Sequence, residues 1–338
     1  MRNIDVIPNY YSYSLKVNGR DLTIPQKELF FNCINKIHRE NHKVIYRGDK
    51  KNRIQHLFGV NNGQFDDEFH QYLFLMGIKG QIFSKSELPG INEIDIAKAG
   101  ENEFNLIFRM LGNLLKKEFP FGAIRMAVKS FNSSEEEVKN FFCNQENEQH
   151  FIDRTNMITP EKRIVVRDYY LALLHHINKS EYYPSSFLLS VTTSYQQAHK
   201  FAIKEQNTND NIPIILFGWI PKNYEGILRA PDSRFLNQQV NMNILQLPVY
   251  KQSFFPMQRE ITLKGGILPH YLLGYLYTHH NHEVFEINPA LLEIDDSWDG
   301  VELPIDQSTF HQRMQKTLFG QYFSVETENG QYNQHRKL

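Results

Sequence analysis

Gln258-Arg259-Glu260 sets an amide and a carboxylate two residues apart, shortly after the aromatic pair Phe254-Phe255 and just before Gly265-Gly266. Read as a strand, side chains two apart share one face, so Gln258 and Glu260 point together while Arg259 and Ile261 point the other way. The amide both donates and accepts hydrogen bonds, whereas the ionised carboxylate only accepts. Two such groups at the mouth of an aromatic turn are an unusual device for stability alone. The ordinary alternative for an isolated Q-x-E is a solvent-facing strand edge.

Other residues with chemical potential read as structural. Thr278-His279-His280-Asn281-His282-Glu283 holds metal-ligating types, but in a polar turn without the spacing of a closed zinc site. His175-His176 lies on a helix, where adjacent residues face apart, which argues against a shared ligand. Glu135-Glu136-Glu137 reads as a solvated helix start favoured by the helix dipole. Cys33 and Cys143 sit on apolar helical faces and read as reduced core thiols.

The elements that must position these residues come from a chain of 338 residues, 41% hydrophobic and 22% charged, which is ample for a buried core. A formal net charge of -1 excludes a global field drawing the chain to nucleic acid or an anionic membrane, and leaves a local basic groove open. No signal-peptide pattern opens the sequence and no apolar run could span a bilayer, so the expectation is a cytoplasmic protein with no membrane partner. An effector delivered from another cell by a dedicated machine would carry the same composition.

Thr23-Ile24-Pro25-Gln26 predicts a capping box, followed by a helix with Phe30, Cys33, Ile34 and Ile37 inward. Lys43 to Gly48 predicts a strand running into a turn. Residues of about 55–180 are mainly helical, with one stripe at Phe104, Ile107, Phe108, Leu111 and Leu115 that stops at Pro120. A second helix opens at Ser133, and a third carries Val166, Tyr169, Tyr170, Leu173 and Ile177. From Tyr183 onward strands dominate: Ser186 to Thr192, Ile212 to Ile220 and Glu283 to Ile287. Between the first two, Ser194 to Gln197 opens a short helix with Ala198, Phe201 and Ala202 inward. Residues 231–243 read as a polar connection. A final helix with Phe310, Met314 and Leu318 precedes a loose polar tail, 326–338.

Three stretches in order, Tyr46-Arg47-Gly48, Ser190-Val191-Thr192 with Ala198-His199-Lys200-Phe201-Ala202, and Gln258-Arg259-Glu260 with its Gly-Gly-Ile continuation, carry a resemblance. They resemble the arginine, serine and glutamate motifs of the mono-ADP-ribosyltransferase superfamily, in its toxin-like R-S-E branch. Val191 and Thr192 stand where that family usually has Thr and Ser, and the interval from Arg47 to Ser190 is longer than in compact members. The resemblance implies an α+β fold: one catalytic domain over 1–338, a split mixed β-sheet core, and a helical insertion of about 55–180.

The same resemblance implies NAD as co-substrate and no metal. Glu260 would stabilise positive charge developing on the ribose and grip a ribose hydroxyl. Arg47 would anchor phosphate and ribose oxygens, Gly48 would let the backbone approach the nicotinamide amide, and Ser190 would donate to Glu260, with Thr192 beside it. Gln258 would face the acceptor, with Phe254 or Phe255 stacking on a base or packing on a protein. The implied activity is transfer of ADP-ribose to a nucleobase of RNA or DNA, in a toxin or antiviral-defence enzyme. Three alternatives stand beside it: modification of an asparagine or arginine side chain, NAD glycohydrolysis, and a non-enzymatic interaction protein on a degenerate transferase fold. The toxin-like branch also brings in a neutralising antitoxin or immunity protein as a partner.

Overall fold

Thr23 opens the first helix, α1 (Ile24–Arg39), in the way its side chain predicts. Its Oγ1 accepts from the Gln26 N–H and the Gln26 side chain returns to the Thr23 N–H. Phe30, Cys33, Ile34 and Ile37 are its buried face, and burial pushes the Cys33 thiol up to about 12. The computed structural model describes residues 8–57, 69–78, 100–116, 133–177, 188–204, 212–220, 227–229, 233–250, 258–264, 267 and 271–293. It also describes the backbone of 323–328 and 331–336. Phe254, Phe255, Gly265-Gly266, Pro120 and the helix predicted around Phe310 lie outside the described residues.

Nine strands form one mixed sheet: β1 (Ser14–Val17), β2 (Arg20–Asp21), β3 (Lys43–Lys50), β4 (Leu188–Thr192), β5 (Pro213–Ile220), β6 (Ile227–Arg229), β7 (Glu260–Lys264), β8 (Leu272–His279) and β9 (His282–Ile287). Their order is β2-β1-β9-β8-β5-β3-β4-β7-β6, and every pairing is antiparallel except β1 with β9. The sheet nearly parts in the middle. β3 pairs with β5 along its full length from Lys43 to Lys50, but with β4 only at Tyr46 opposite Thr192. β10 (Phe323–Glu328) and β11 (Gln331–Arg336) pair with each other in a separate ribbon, where the sequence reading places a loose tail.

Between β3 and β4 come α2 (Lys51–Leu57), α3 (Phe69–Met76), α4 (Glu101–Lys116), α5 (Ser133–Cys143), α6 (Asn147–Asn156) and α7 (Pro160–Ile177). After β4 follow α8 (Tyr195–Ile203), α9 (Ser233–Gln239) and α10 (Met242–Leu245). Among the described residues the apolar side chains make two cores. One joins the sheet to α1, α3 and α8 through Phe30, Ile45, Phe74, Phe217, Leu272 and Phe285. The other is helical, with Phe104, Phe142 and Tyr170 edge-on to Phe151, Phe108 packed among them, and Leu188 of β4 reaching into it.

Four expectations need correction. β3 does not turn after Gly48 but runs on to Lys50. There a Cβ at Gly48 would overlap the carbonyl oxygen of Ala198, so this glycine lets α8 lie directly on the strand. Phe201 is exposed, because Ala198 and Ala202, one helical turn apart, take that close contact and leave Phe201 off to the side. Residues 231–243 are not a plain connection: Leu236, Val240 and Met242 enter the helical core from α9 and α10. The strand predicted to begin near Gln258 begins instead at Glu260, since Arg259 has a positive φ of 47°.

Candidate active site

The parting between β3 and β4 is where the motif residues meet. Arg47 follows Tyr46, the last point of contact between the strands, and its guanidinium spans the gap: Nη1 donates to the Ser190 carbonyl at 2.7 Å. Nε and Nη2 both donate to Oδ2 of Asp49, at 2.9 and 2.7 Å. Asp49 lies on the same face of β3, two residues on. Its other oxygen accepts from the Lys50 N–H. Both charged side chains are nearly out of solvent, 9% and 1% exposed, so each would be costly without the other. The Tyr46 ring packs edge-on against Phe217 and Tyr195, and burial raises its phenol to about 12, so it stays neutral.

Across the gap, β4 and β7 run antiparallel with Ser190 opposite Thr262 and Thr192 opposite Glu260. Directly opposed residues in an antiparallel pair present their side chains to one face. Ser190, Thr192, Glu260 and Thr262 therefore line a single patch of hydroxyls with one carboxylate. Thr192 Oγ1 donates to the Gln258 carbonyl at 2.7 Å and accepts from the Ser194 N–H, which ties the turn before Glu260 to the start of α8. The hydroxyl of Thr262 is fully buried, with no hydrogen-bond partner among the described residues.

The helical half closes this patch. His175 and His176 occupy the last turn of α7. His175 Nε2 lies 2.9 Å from Ser190 Oγ, and His176 Nε2 lies 3.1 Å from Glu260 Oε1. The Ser190 hydroxyl thus engages His175 rather than Glu260, which departs from the pairing that the motif resemblance implies. Arg47, paired with Asp49, holds the backbone carbonyl of Ser190 while His175 meets its hydroxyl, and His176–Glu260 stands beside them. The two imidazoles touch edge to face, with ring centroids 5.4 Å apart.

No family model, curated protein or solved structure matches this chain. The site therefore has to be read from its own groups. A guanidinium paired with one carboxylate, a second carboxylate, two imidazoles and several hydroxyls suit a polar, oxygen-rich ligand. No group of three or more His, Cys, Asp or Glu side chains that could hold a metal occurs among the described residues. His280 and Asn281 take positive φ, and the predicted polar turn is the tight hairpin joining β8 to β9.

Arg47, Ser190, Thr192 and Glu260 come together at this gap, and Gln258 is held beside it by its backbone. Gly48 packs against α8. Sequence reasoning missed three residues. Asp49 was within reach, because alternation on a strand puts it beside Arg47. His175 and His176 carried no local signal, since their partners are on strands that the chain reaches only later. No helix among the described residues is long and apolar enough to cross a membrane.

Proposed function

We propose that this chain is an NAD-dependent mono-ADP-ribosyltransferase that passes ADP-ribose to a nucleobase of RNA or DNA. The observation that carries the reading is the meeting of Arg47, Ser190 and Glu260 at one break in the sheet, from three stretches far apart in sequence. Nothing in the helical or strand periodicity of those stretches requires that meeting. In this reading the bond between the ribose C1′ and the nicotinamide nitrogen breaks, and its electron pair leaves with neutral nicotinamide. A lone pair of the acceptor then forms the new bond to C1′, and the acceptor gives up a proton. In this reading Glu260 faces the cationic ribose and Arg47 the phosphate and ribose oxygens, with the hydroxyls of Ser190 and Thr192 on the same face of the sheet. Gln258, held at the turn before Glu260, presents an amide to the acceptor, and an amide can pair with a base edge.

A second reading is favoured by the Arg47–Asp49 pair. Its side chains are almost fully buried, and Arg47 bonds a strand carbonyl that the β3–β4 ladder leaves uncovered. That is also how a purely structural splint would look, in a non-enzymatic protein with a transferase-like core.

Incubation with labelled NAD and separate RNA, DNA and cell-protein fractions distinguishes these. Label on nucleic acid supports the proposal, and label on protein moves the acceptor to a side chain. Free nicotinamide with no labelled macromolecule makes the chain a glycohydrolase. No nicotinamide release leaves the structural reading. Glu260→Gln is expected to lower nicotinamide release by about 100-fold or more with the thermal transition retained. Wild-type turnover by that variant would refute the role of Glu260.

A further inference from the structure

We propose that His175 and His176 are the positioning residues of this site: His175 orients the Ser190 hydroxyl, and His176 holds Glu260 as an imidazolium. The catalytic consequence rests on the transferase reading; the protonation of His176 does not.

The argument begins with donors and acceptors. His176 Nδ1 lies 2.6 Å from the carbonyl oxygen of Ala172, which can only accept, so Nδ1 carries a hydrogen. Nε2 of the same ring faces Glu260 Oε1 at 3.1 Å. A bare imidazole nitrogen and a carboxylate oxygen are both acceptors and would repel at that distance, so a proton lies between them. Imidazole is the stronger base of the two, which places the proton on Nε2 and makes the ring a cation.

The position in the fold favours that charge. His176 is in the last turn of an 18-residue helix, where the aligned carbonyl dipoles stabilise a cation. Its side chain is 3% exposed and that of Glu260 is 9%, so the hydrogen bond is made largely away from water. Two neighbouring guanidinium groups are already matched to carboxylates. Arg47 pairs with Asp49 on β3, and Arg167 pairs with Asp168 two turns earlier on α7.

Helical neighbours point about 100° apart. That angle rules out one shared ligand for both rings, but it suits two targets on adjacent strands. His175 reaches Ser190 on β4 while His176 reaches Glu260 on β7. One helix end thereby sets the orientation of both residues.

The test uses the full chain. Nitrogen-15 spectra of the histidines near neutral pH are expected to show His176 with both ring nitrogens protonated. In Glu260→Gln, whose amide can donate to Nε2, the ring is expected to return to the neutral form. A neutral His176 in the wild type overturns the assignment, whatever the activity. In steady-state nicotinamide release, His176→Gln keeps a donor toward Glu260 and is expected to retain turnover within about 10-fold. His176→Phe keeps volume without the donor and is expected to lose on the order of 100-fold in kcat, with KM for NAD little changed. Equal turnover in the two variants also overturns the positioning role. A wild type that releases no nicotinamide defeats the transferase reading instead, and the histidine spectra then decide the pair alone.

Discussion

The two halves of the molecule divide the work differently. The strand-built half holds the groups that resemble a catalytic set, on β3, β4 and β7, and its core is organised by ladder register. The helical half holds none of those motifs, yet α7 supplies both imidazoles that engage Ser190 and Glu260. Its core is assembled from two separate parts of the chain, α4 to α7 and α9 to α10, with Leu188 joining it to the sheet. The difference separates two kinds of information: groups that could react lie in local motifs, and the groups that aim them come from a distant packed surface.

The sharpest way to break that division is at the closest contact of the strand half. Gly48→Val would drive a side chain into the Ala198 carbonyl, and α8 cannot retreat without leaving the sheet. Loss of a cooperative thermal transition is expected, beyond the ~3 kcal/mol of ordinary overpacking. Phe151→Ala probes the other half. This ring is fully buried against Phe104, Phe142 and Tyr170, and its loss should cost about 3–5 kcal/mol in denaturant unfolding. Because that core seats α7, turnover of nicotinamide release should fall as well, even well below the midpoint. A destabilised variant with unchanged turnover would mean that the helical half does not aim the site.

Arg47→Leu asks whether the gap is braced by charge. It leaves buried Asp49 with only the Lys50 N–H and the exposed Arg53 guanidinium at 3.8 Å, a loss of about 3 kcal/mol, and adding Asp49→Leu should recover much of it. If the double variant is as unstable as the single one, the pair is not the brace. The smallest effect is expected far from the site, at Glu286, whose carboxylate accepts from the Gly19 N–H. Burial raises its pKa above the ordinary carboxylate value, against the lowering effects of the Gly19 N–H, Lys16 and the Asn18 backbone. A raised carboxyl favours folding at low pH, and that contribution is lost as pH rises through the shifted value. Glu286→Gln keeps the acceptor without the charge. Its Tm should sit slightly above wild type at neutral pH, and the gap should close on acidification.

Much of the local structure was legible because its causes are local. The Thr23–Gln26 capping box starts α1, and the stripe from Phe104 to Leu115 is the buried face of α4. The strand reading of Gln258-Arg259 failed because a left-handed residue at Arg259 is set by the turn that Thr192 ties down, and no sequence period reports it. The strand from Leu272 to His279 was not read from the sequence. Its place between β5 and β9 depends on pairings with segments on either side of it in the chain.

By itself the sequence determined the amphipathic helices, the buried strands, the reduced cysteines and the three stretches worth suspecting. Those follow from side-chain periodicity, capping chemistry and residue type, which act over a few residues. Only the tertiary structure decided that β3 and β4 part after one pairing, that Arg47 and Asp49 bridge the opening, and that His175 and His176 close on Ser190 and Glu260. Two of those relations join groups 143 residues apart, Arg47 with Ser190, and 84 apart, His176 with Glu260. They depend on which backbone carbonyls a ladder leaves uncovered and on which helix end packs over them, and neither is written in any single stretch of the chain.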